Sequence, residues 1–201
     1  MGIRDQRSGI RGCLRRAAVM VAAAVLASGA VIDRVAVVVG NTAITETEVL
    51  REVRLTDFMN GQPLDLSPQQ RRAAAERLVD QQLIRNEMAT GTYPMPTDAD
   101  ADDLLRDFRD QRFNGDAPYR AALTQYGITE KELKEHLLWE LAAIRFTDAR
   151  FQSKAQDAQS ANRVKPGTPT PSDNDVDRQL DAWLKEQRKN TRVLFKKAAF
   201  E

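Results

Sequence analysis

Cysteine is almost missing from this 201-residue chain. Its single copy, Cys13, lies near the N-terminus, and nothing after it can form a disulfide. Histidine is equally scarce, with His136 the only one. One histidine and one cysteine exclude multi-histidine zinc sites and ordinary Cys–His catalysis. There is no Gly-x-Ser-x-Gly, no phosphate loop and no dinucleotide fingerprint. Carboxylate pairs are numerous, but cations three or four residues away make them read as solvated helix faces. His136, among Lys134, Glu135 and Glu140, reads as a surface or boundary side chain. The expectation is a chain with no catalytic residues, metal or cofactor, and therefore not an enzyme. Aromatic residues make up only 6% of the chain and charged ones 29%, which favours a helical, open or elongated protein over a compact sandwich.

Long apolar runs are also absent, apart from one near the start. Arg4, Arg7, Arg11, Arg15 and Arg16 precede the apolar segment Ala17 to Ala27, and Ser28-Gly29-Ala30 supplies small residues for a cut after Ala30. That order predicts a cleaved secretory signal at 1–30 and a periplasmic mature protein. An uncleaved anchor is the alternative, and only in that case would the chain touch a membrane. The apolar run is shorter than the roughly twenty residues a spanning helix prefers. Arg15-Arg16 lacks the flanking residues of a twin-arginine signal, and Cys13 precedes the apolar segment, so it cannot be a lipidation site. Residues 1–30 hold five arginines and one aspartate. Without them 25 basic residues face 28 acidic ones, a net charge of −3. Nucleic-acid-binding domains are usually clearly basic, so no nucleic-acid partner is expected. An exported chain with no cysteine left must rely on its own core or on a partner, and about 170 residues suffice for one core.

Val31 to Leu50 organises the remainder. Ile32 to Val39 reads as a strand, Gly40-Asn41 as a tight turn, and Thr42-Ala43-Ile44 as a brief return. Thr45-Glu46-Thr47-Glu48 then forms a capping box that starts a helix. A buried strand with so short a return needs a second partner. Arg192 to Lys196 is the other plausible strand, so the two ends should pair as Arg34–Val39 with Arg192–Lys196.

Helices fill the interval. Val49, Val53, Leu55, Phe58 and Met59 form one stripe, stopped by Gly61. Ser67-Pro68-Gln69-Gln70 starts a helix to about Thr90, with Ala75, Leu78, Val79, Leu83, Ile84 and Met88 as its core face and Gly91 as its C-terminal glycine. Tyr93-Pro94-Met95-Pro96 is an extended connector. Thr97 caps a third helix. Its Asp98, Asp100, Asp102 and Asp103 suit the helix dipole, and they lack the glycine and distal glutamate of a calcium loop. A short helix through Tyr119, Leu123 and Tyr126 ends at Gly127. Thr129 to Glu132 is a further capping box, opening a long helix with Leu133, Leu137, Leu141, Ile144 and Phe151 on its stripe and Trp139 off it. Gln152 to Asp173 is Gln-, Ser-, Pro- and Thr-rich and reads as a linker. Val176, Leu180, Trp183 and Leu184 mark a last helix.

Binding is then the function left open. Phe58, Met59, Leu64, Leu66, Tyr93, Met95, Phe108, Phe113, Tyr119 and Tyr126 lie at or near helix ends and connectors. They are either core or an adaptable apolar surface for extended segments. The peptide-contact set expected from this is Phe58, Met59, Leu64, Tyr93, Met95, Phe108, Phe113, Tyr119 and Tyr126.

Val35-Ala36-Val37-Val38-Val39-Gly40-Asn41-Thr42-Ala43-Ile44-Thr45-Glu46-Thr47-Glu48-Val49 resembles the opening of the SurA family of periplasmic chaperones and peptidyl-prolyl isomerases. Arg77-Leu78-Val79-Asp80-Gln81-Gln82-Leu83-Ile84 is similar to a helix of that family. Ala182-Trp183-Leu184-Lys185-Glu186-Gln187-Arg188 with Arg192-Val193-Leu194-Phe195 is similar to its C-terminal helix and strand. The likeness covers roughly 31–151 and 174–199. In the family, parvulin-type isomerase domains stand between the long helix and the C-terminal helix; here only the linker stands there.

The resemblance implies a mainly α, multi-helix chaperone body with a small sheet joining the N- and C-terminal strands. It divides the chain into a signal at 1–30, a SurA-like N-terminal domain at 31–151, a linker at 152–173, and a helix and strand at 174–201 that pack back. The expected function is ATP-independent binding of unfolded outer-membrane or secreted polypeptides in an apolar helical groove. The alternatives are an isomerase-family member with vestigial or no activity, and an assembly subunit for one exported partner.

Overall fold

A valine-rich strand turned back on a short neighbour by a glycine sets the frame. The computed structural model describes residues 33–152 and 173–201. The expected signal at 1–30 lies outside the described residues, as does the expected linker at 152–173 except for its two ends. Strand β1 (Val35–Val39) turns at Gly40, whose φ of 58° is left-handed, and pairs antiparallel with β2 (Thr42–Thr45). Val37, Val38 and Val39 face Ile44, Ala43 and Thr42, and the register shifts between Val35 and Val37. On its other side β1 receives β3 (Val193–Phe195), with Val37 opposite Phe195 and Val39 opposite Val193. The Gly40 N–H donates to the Arg192 carbonyl and the Lys196 N–H to the Ala36 carbonyl, both at 2.8 Å, which extends the ladder at each end.

The sheet order is β2-β1-β3. The strand expected to need a distant partner therefore has it. The partner is three residues of regular strand rather than five, and the return strand is longer than the brief one expected. Thr45 is both the last residue of β2 and the cap of the following helix, so sheet and helix share a residue.

Capping chemistry places the helix starts. Helix α1 (Glu46–Asn60) begins with the Glu48 N–H donating to Thr45 Oγ1 at 3.3 Å and the Thr45 N–H donating to Glu48 Oε2 at 2.7 Å. Helix α2 (Pro68–Thr90) has proline in its first turn, and the Gln70 N–H donates to Ser67 Oγ. Helix α3 (Asp98–Arg112) carries a reciprocal Thr97–Asp100 box, so part of its acidic run is the cap itself. Helix α4 (Asp116–Tyr126) precedes α5 (Glu130–Thr147), which opens on the Thr129–Glu132 box and continues into a π turn at Asp148–Gln152. Helix α6 (Asp173–Asn190) leads into β3, and a 3₁₀ turn at Lys197–Ala199 follows.

Gly91 caps α2 as expected, its N–H donating to the Glu87 carbonyl at 3.1 Å. Its φ is −111°, so it is not a left-handed helix stop. A Cβ at this position would meet Tyr93 Cε2 at 2.5 Å, which makes the glycine a requirement for space rather than for conformation.

Three clusters fill the interior. The first packs Ala36, Val37, Val39 and Ile44 of the sheet on Val49 and Val53 of α1, and on Ala74, Ala75, Val79 and Leu83 of α2. The second gathers Leu55, Phe58, Tyr119, Leu123, Ile128, Leu133 and Leu137, with Phe108, Phe113 and Tyr126 against them. The third joins Ile84, Phe146, Phe151 and Val176, flanked by Tyr93 and Trp183.

Polar pins hold the C-terminal elements on α2. Arg188 Nε donates to Asp80 Oδ1 at 2.7 Å and its Nη1 to Glu76 Oε2 at 2.6 Å. Arg71 Nη1 donates to the Ala199 carbonyl at 3.1 Å, and the Arg72 guanidinium lies 3.5 Å from the centroid of Phe195. The fold is mainly α with a small antiparallel sheet joining the two ends of the described chain, as expected. No helix among the described residues is long and apolar enough to cross a membrane.

Candidate functional site

The aromatic residues expected at the surface are mostly interior. Phe58, only 3% exposed, lies with ring centroids 5.7 Å from Phe108, 5.8 Å from Phe113 and 5.5 Å from Tyr126. Tyr119 is 1% exposed and meets Phe113 edge-on at 5.4 Å. Burial, with Glu130 beside it, pushes the Tyr119 phenol above its ordinary value. Tyr126 donates from its hydroxyl to the Gln62 carbonyl at 2.6 Å, and Met59 is half-buried in the same cluster. Tyr93 packs 4.9 Å from Phe146 in the third cluster, and its hydroxyl donates to Glu87 Oε1 at 3.3 Å.

Of the nine residues expected to contact peptides, Leu64 at 39% and Met95 at 60% remain exposed. Phe58 and Tyr119 are structural, and this corrects their placement on a binding face. The physical reason is convergence. Short joints at 113–115 and 127–129 bring α3, α4 and α5 together against the C-terminal end of α1, so side chains at helix ends bury one another.

The apolar surface that does stand open is elsewhere. Ile84 of α2, Ala143, Ile144 and Thr147 of α5, and Val176 and Leu180 of α6 line a groove of about 370 Å³. Asp148 and Asp177 complete its lining. Ile144 is 57% exposed, although its position fitted the expected buried stripe. In α5 the buried positions are Leu133, Leu137, Ala142 and Phe146, with Phe151 following in the π turn. Leu133 and Leu137 face the second cluster and Phe146 the third, so the buried face changes between Leu137 and Ala142, ahead of the π turn, and leaves Ile144 outside.

No protein-family model matches this chain, and no curated protein matches it either.

A second concavity, of about 150 Å³, is polar and lies among α1, α2 and α5. Its centre is Glu52, a carboxylate only 5% exposed. Arg77 Nε donates to Glu52 Oε1 at 3.2 Å, and Gln81 Nε2 approaches the same oxygen at 3.4 Å. His136 Nδ1 lies 3.8 Å from Glu52 Oε2, and its Nε2 lies 3.3 Å from Glu140 Oε1. The His136 side chain is largely buried, which makes it a boundary residue, one of the two places expected for it. Nearby, Arg85 lies 4.2 Å from the centroid of Trp139. These groups tie three helices together. A buried carboxylate needs such partners, since an unpaired one would be strongly destabilising. Among the described residues, no group of three or more His, Cys, Asp or Glu side chains is placed to hold a metal ion.

Sequence reasoning missed both Glu52 and the groove. Glu52 sits beside Val53 on a helix rich in charge, and only its partners on α2 and α5 mark it as interior. The groove had no local signal, since Ile144 is left outside because the two halves of α5 serve different clusters.

Proposed function

We propose that this chain is an ATP-independent periplasmic chaperone that holds unfolded outer-membrane or secreted polypeptides by burial of their apolar segments, without covalent chemistry. The observation that carries this is the open groove of α2, α5 and α6, with Ile144 left 57% exposed on it. A contiguous apolar concavity on a protein surface is a place where another apolar segment gains by leaving water. The order of strand, helices, last helix and last strand, which resembles the SurA family, supports the same function, as does the signal-like start. Residues 31–151 and 174–201 would form the chaperone body.

The direct test is suppression of aggregation. An outer-membrane protein diluted from denaturant should scatter less light when the chain is present at modest molar excess. Ile144→Ser, at an exposed position, should weaken that suppression while leaving the thermal unfolding midpoint within the range of ordinary surface substitutions. A proline-limited refolding assay should show no acceleration. Absence of both suppression and binding would overturn the proposal.

A further inference from the structure

The backbone of β3 is half used. The Gly40 N–H bonds the Arg192 carbonyl and the Lys196 N–H bonds the Ala36 carbonyl, both in the register that sets Val38 opposite Leu194. Bonded and non-bonded pairs alternate along an antiparallel ladder, so Leu194 also turns its N–H and C=O towards β1, while Val193 and Phe195 turn theirs away. Strand β3 is the outer strand on that side, and among the described residues no further strand receives those groups. The other edge is partly closed, since the Thr45 N–H of β2 is taken by Glu48 Oε2 at 2.7 Å.

Side chains decide what the open edge can take. Val193 and Phe195 pack into the sheet cluster. Alternation puts Arg192, Leu194 and Lys196 on the opposite face, where all three are exposed, Leu194 to 37%. Among the described residues neither Arg192 nor Lys196 forms an ion pair, whereas Arg188, just upstream, is held by Glu76 and Asp80. The edge therefore offers unpaired backbone groups and one apolar side chain between two uncompensated cations.

We infer that β3 adds an antiparallel strand from another polypeptide, one with an apolar residue between two acidic residues at alternate positions. The residues on either side of the apolar one exchange backbone bonds with Val193 and Phe195. The apolar side chain lies beside Leu194, and the two carboxylates lie beside Arg192 and Lys196. A second copy of this chain does not fit. Pairing β3 with β3 about Leu194 sets Arg192 opposite Lys196 twice, and like charges directly opposite are destabilising. None of these residues lines the groove of α2, α5 and α6, so edge and groove can be tested apart.

Three fluorescent peptides of equal length supply the test. Each has a central leucine with threonine on both sides, followed at both ends by glutamate, glutamine or lysine. Anisotropy titrations with the full chain at low salt should rank glutamate above glutamine above lysine. Each step should be about two- to tenfold, as two exposed charge pairs would give. The ranking should collapse at about 1 M salt, where the screening length falls to about 3 Å. It should also collapse in the double variant Arg192→Gln with Lys196→Gln, whose unfolding midpoint checks that it is folded. N-methylation of the two threonines should weaken the glutamate peptide about tenfold or more, because those N–H groups meet β3. N-methylation of the central leucine, whose N–H faces away from β3, should change affinity by less than about twofold. Ile144→Ser should leave every affinity unchanged.

Equal losses from the two N-methylations would overturn strand addition. A ranking that persists in the double variant would overturn recognition by Arg192 and Lys196. No binding of the glutamate peptide would show that the cations only guard the edge, and would overturn the inference as a whole. Self-association in sedimentation that the glutamate peptide reverses would assign the edge to a second copy, and would overturn it equally.

Discussion

The sheet cluster and the aromatic cluster solve the same problem from opposite directions. The aromatic cluster draws its buried members from Leu55 and Phe58 and then from Tyr119 to Leu137. The sheet cluster draws its buried members from residues 36 to 83 and from Ala199, with Leu184, Val193, Phe195 and Phe200 packed against them. One is complete once residue 137 is in place. The other takes its last buried member, Ala199, and four flanking residues from a distant segment. Local contacts form at lower entropic cost than long-range ones, so the two clusters should differ in what breaks them.

The largest effect should come from removing that return. A chain lacking residues 191–201 loses β3, exposes one edge of β1, and leaves Arg71 and Arg72 without their C-terminal partners. It should aggregate or unfold cooperatively at a much lower temperature, as read by circular dichroism and light scattering. An unchanged midpoint would show that the sheet does not depend on its third strand. Phe58→Ala strikes the other cluster, where three rings surround it. The expected loss is about 3–5 kcal/mol by denaturant titration, typical of a buried phenylalanine.

Arg188→Ala tests the pin between α6 and α2 and should cost about 1–3 kcal/mol. It should also change the response to acid. Burial pushes the Glu76 carboxyl up, but hydrogen bonds and charge from Arg188 and Arg72 outweigh it and hold the group below its ordinary value. A carboxylate lowered in this way contributes stability above the unfolded-state value of about 4.3, lost as pH falls through the lower folded value. Stability should therefore decline below about pH 4.5, and less steeply in Arg188→Ala. The smallest effect belongs to Met95→Ser, at a 60% exposed position, where a change beyond about 0.5 kcal/mol would mean that the connector is packed.

Short-range chemistry was readable in the sequence. A hydroxyl followed three residues later by a carboxylate marked the starts of α1 and α5, because each box is completed within one turn. The pairing of Val37–Val39 with Val193–Phe195 was also readable, since a valine-rich strand with one short neighbour leaves few partners. Burial of single side chains was not. Phe58 and Tyr126 lie at helix ends, and whether such ends are wet depends on which other ends converge there. Ile144 fitted the period of Leu133 and Leu137, but the later half of α5 buries Ala142 and Phe146 on another face, Phe146 in the third cluster. Glu52 is charged and interior, a combination decided by Arg77 and His136 on other helices. Gly91 is the helix stop it read as, but its extended backbone and its approach to the ring of Tyr93 were not legible.

The placement of β3 also has a consequence in time. A chain is synthesised from its N-terminus, so β1 and β2 emerge about 150 residues before the strand that completes their sheet. Until Val193–Phe195 arrives, one edge of β1 has its backbone groups unpaired, while the helices of the aromatic cluster already have all their partners. The last strand thus acts as a completion signal. The first half of the molecule can condense as it appears, but its sheet closes only when residue 195 has been delivered.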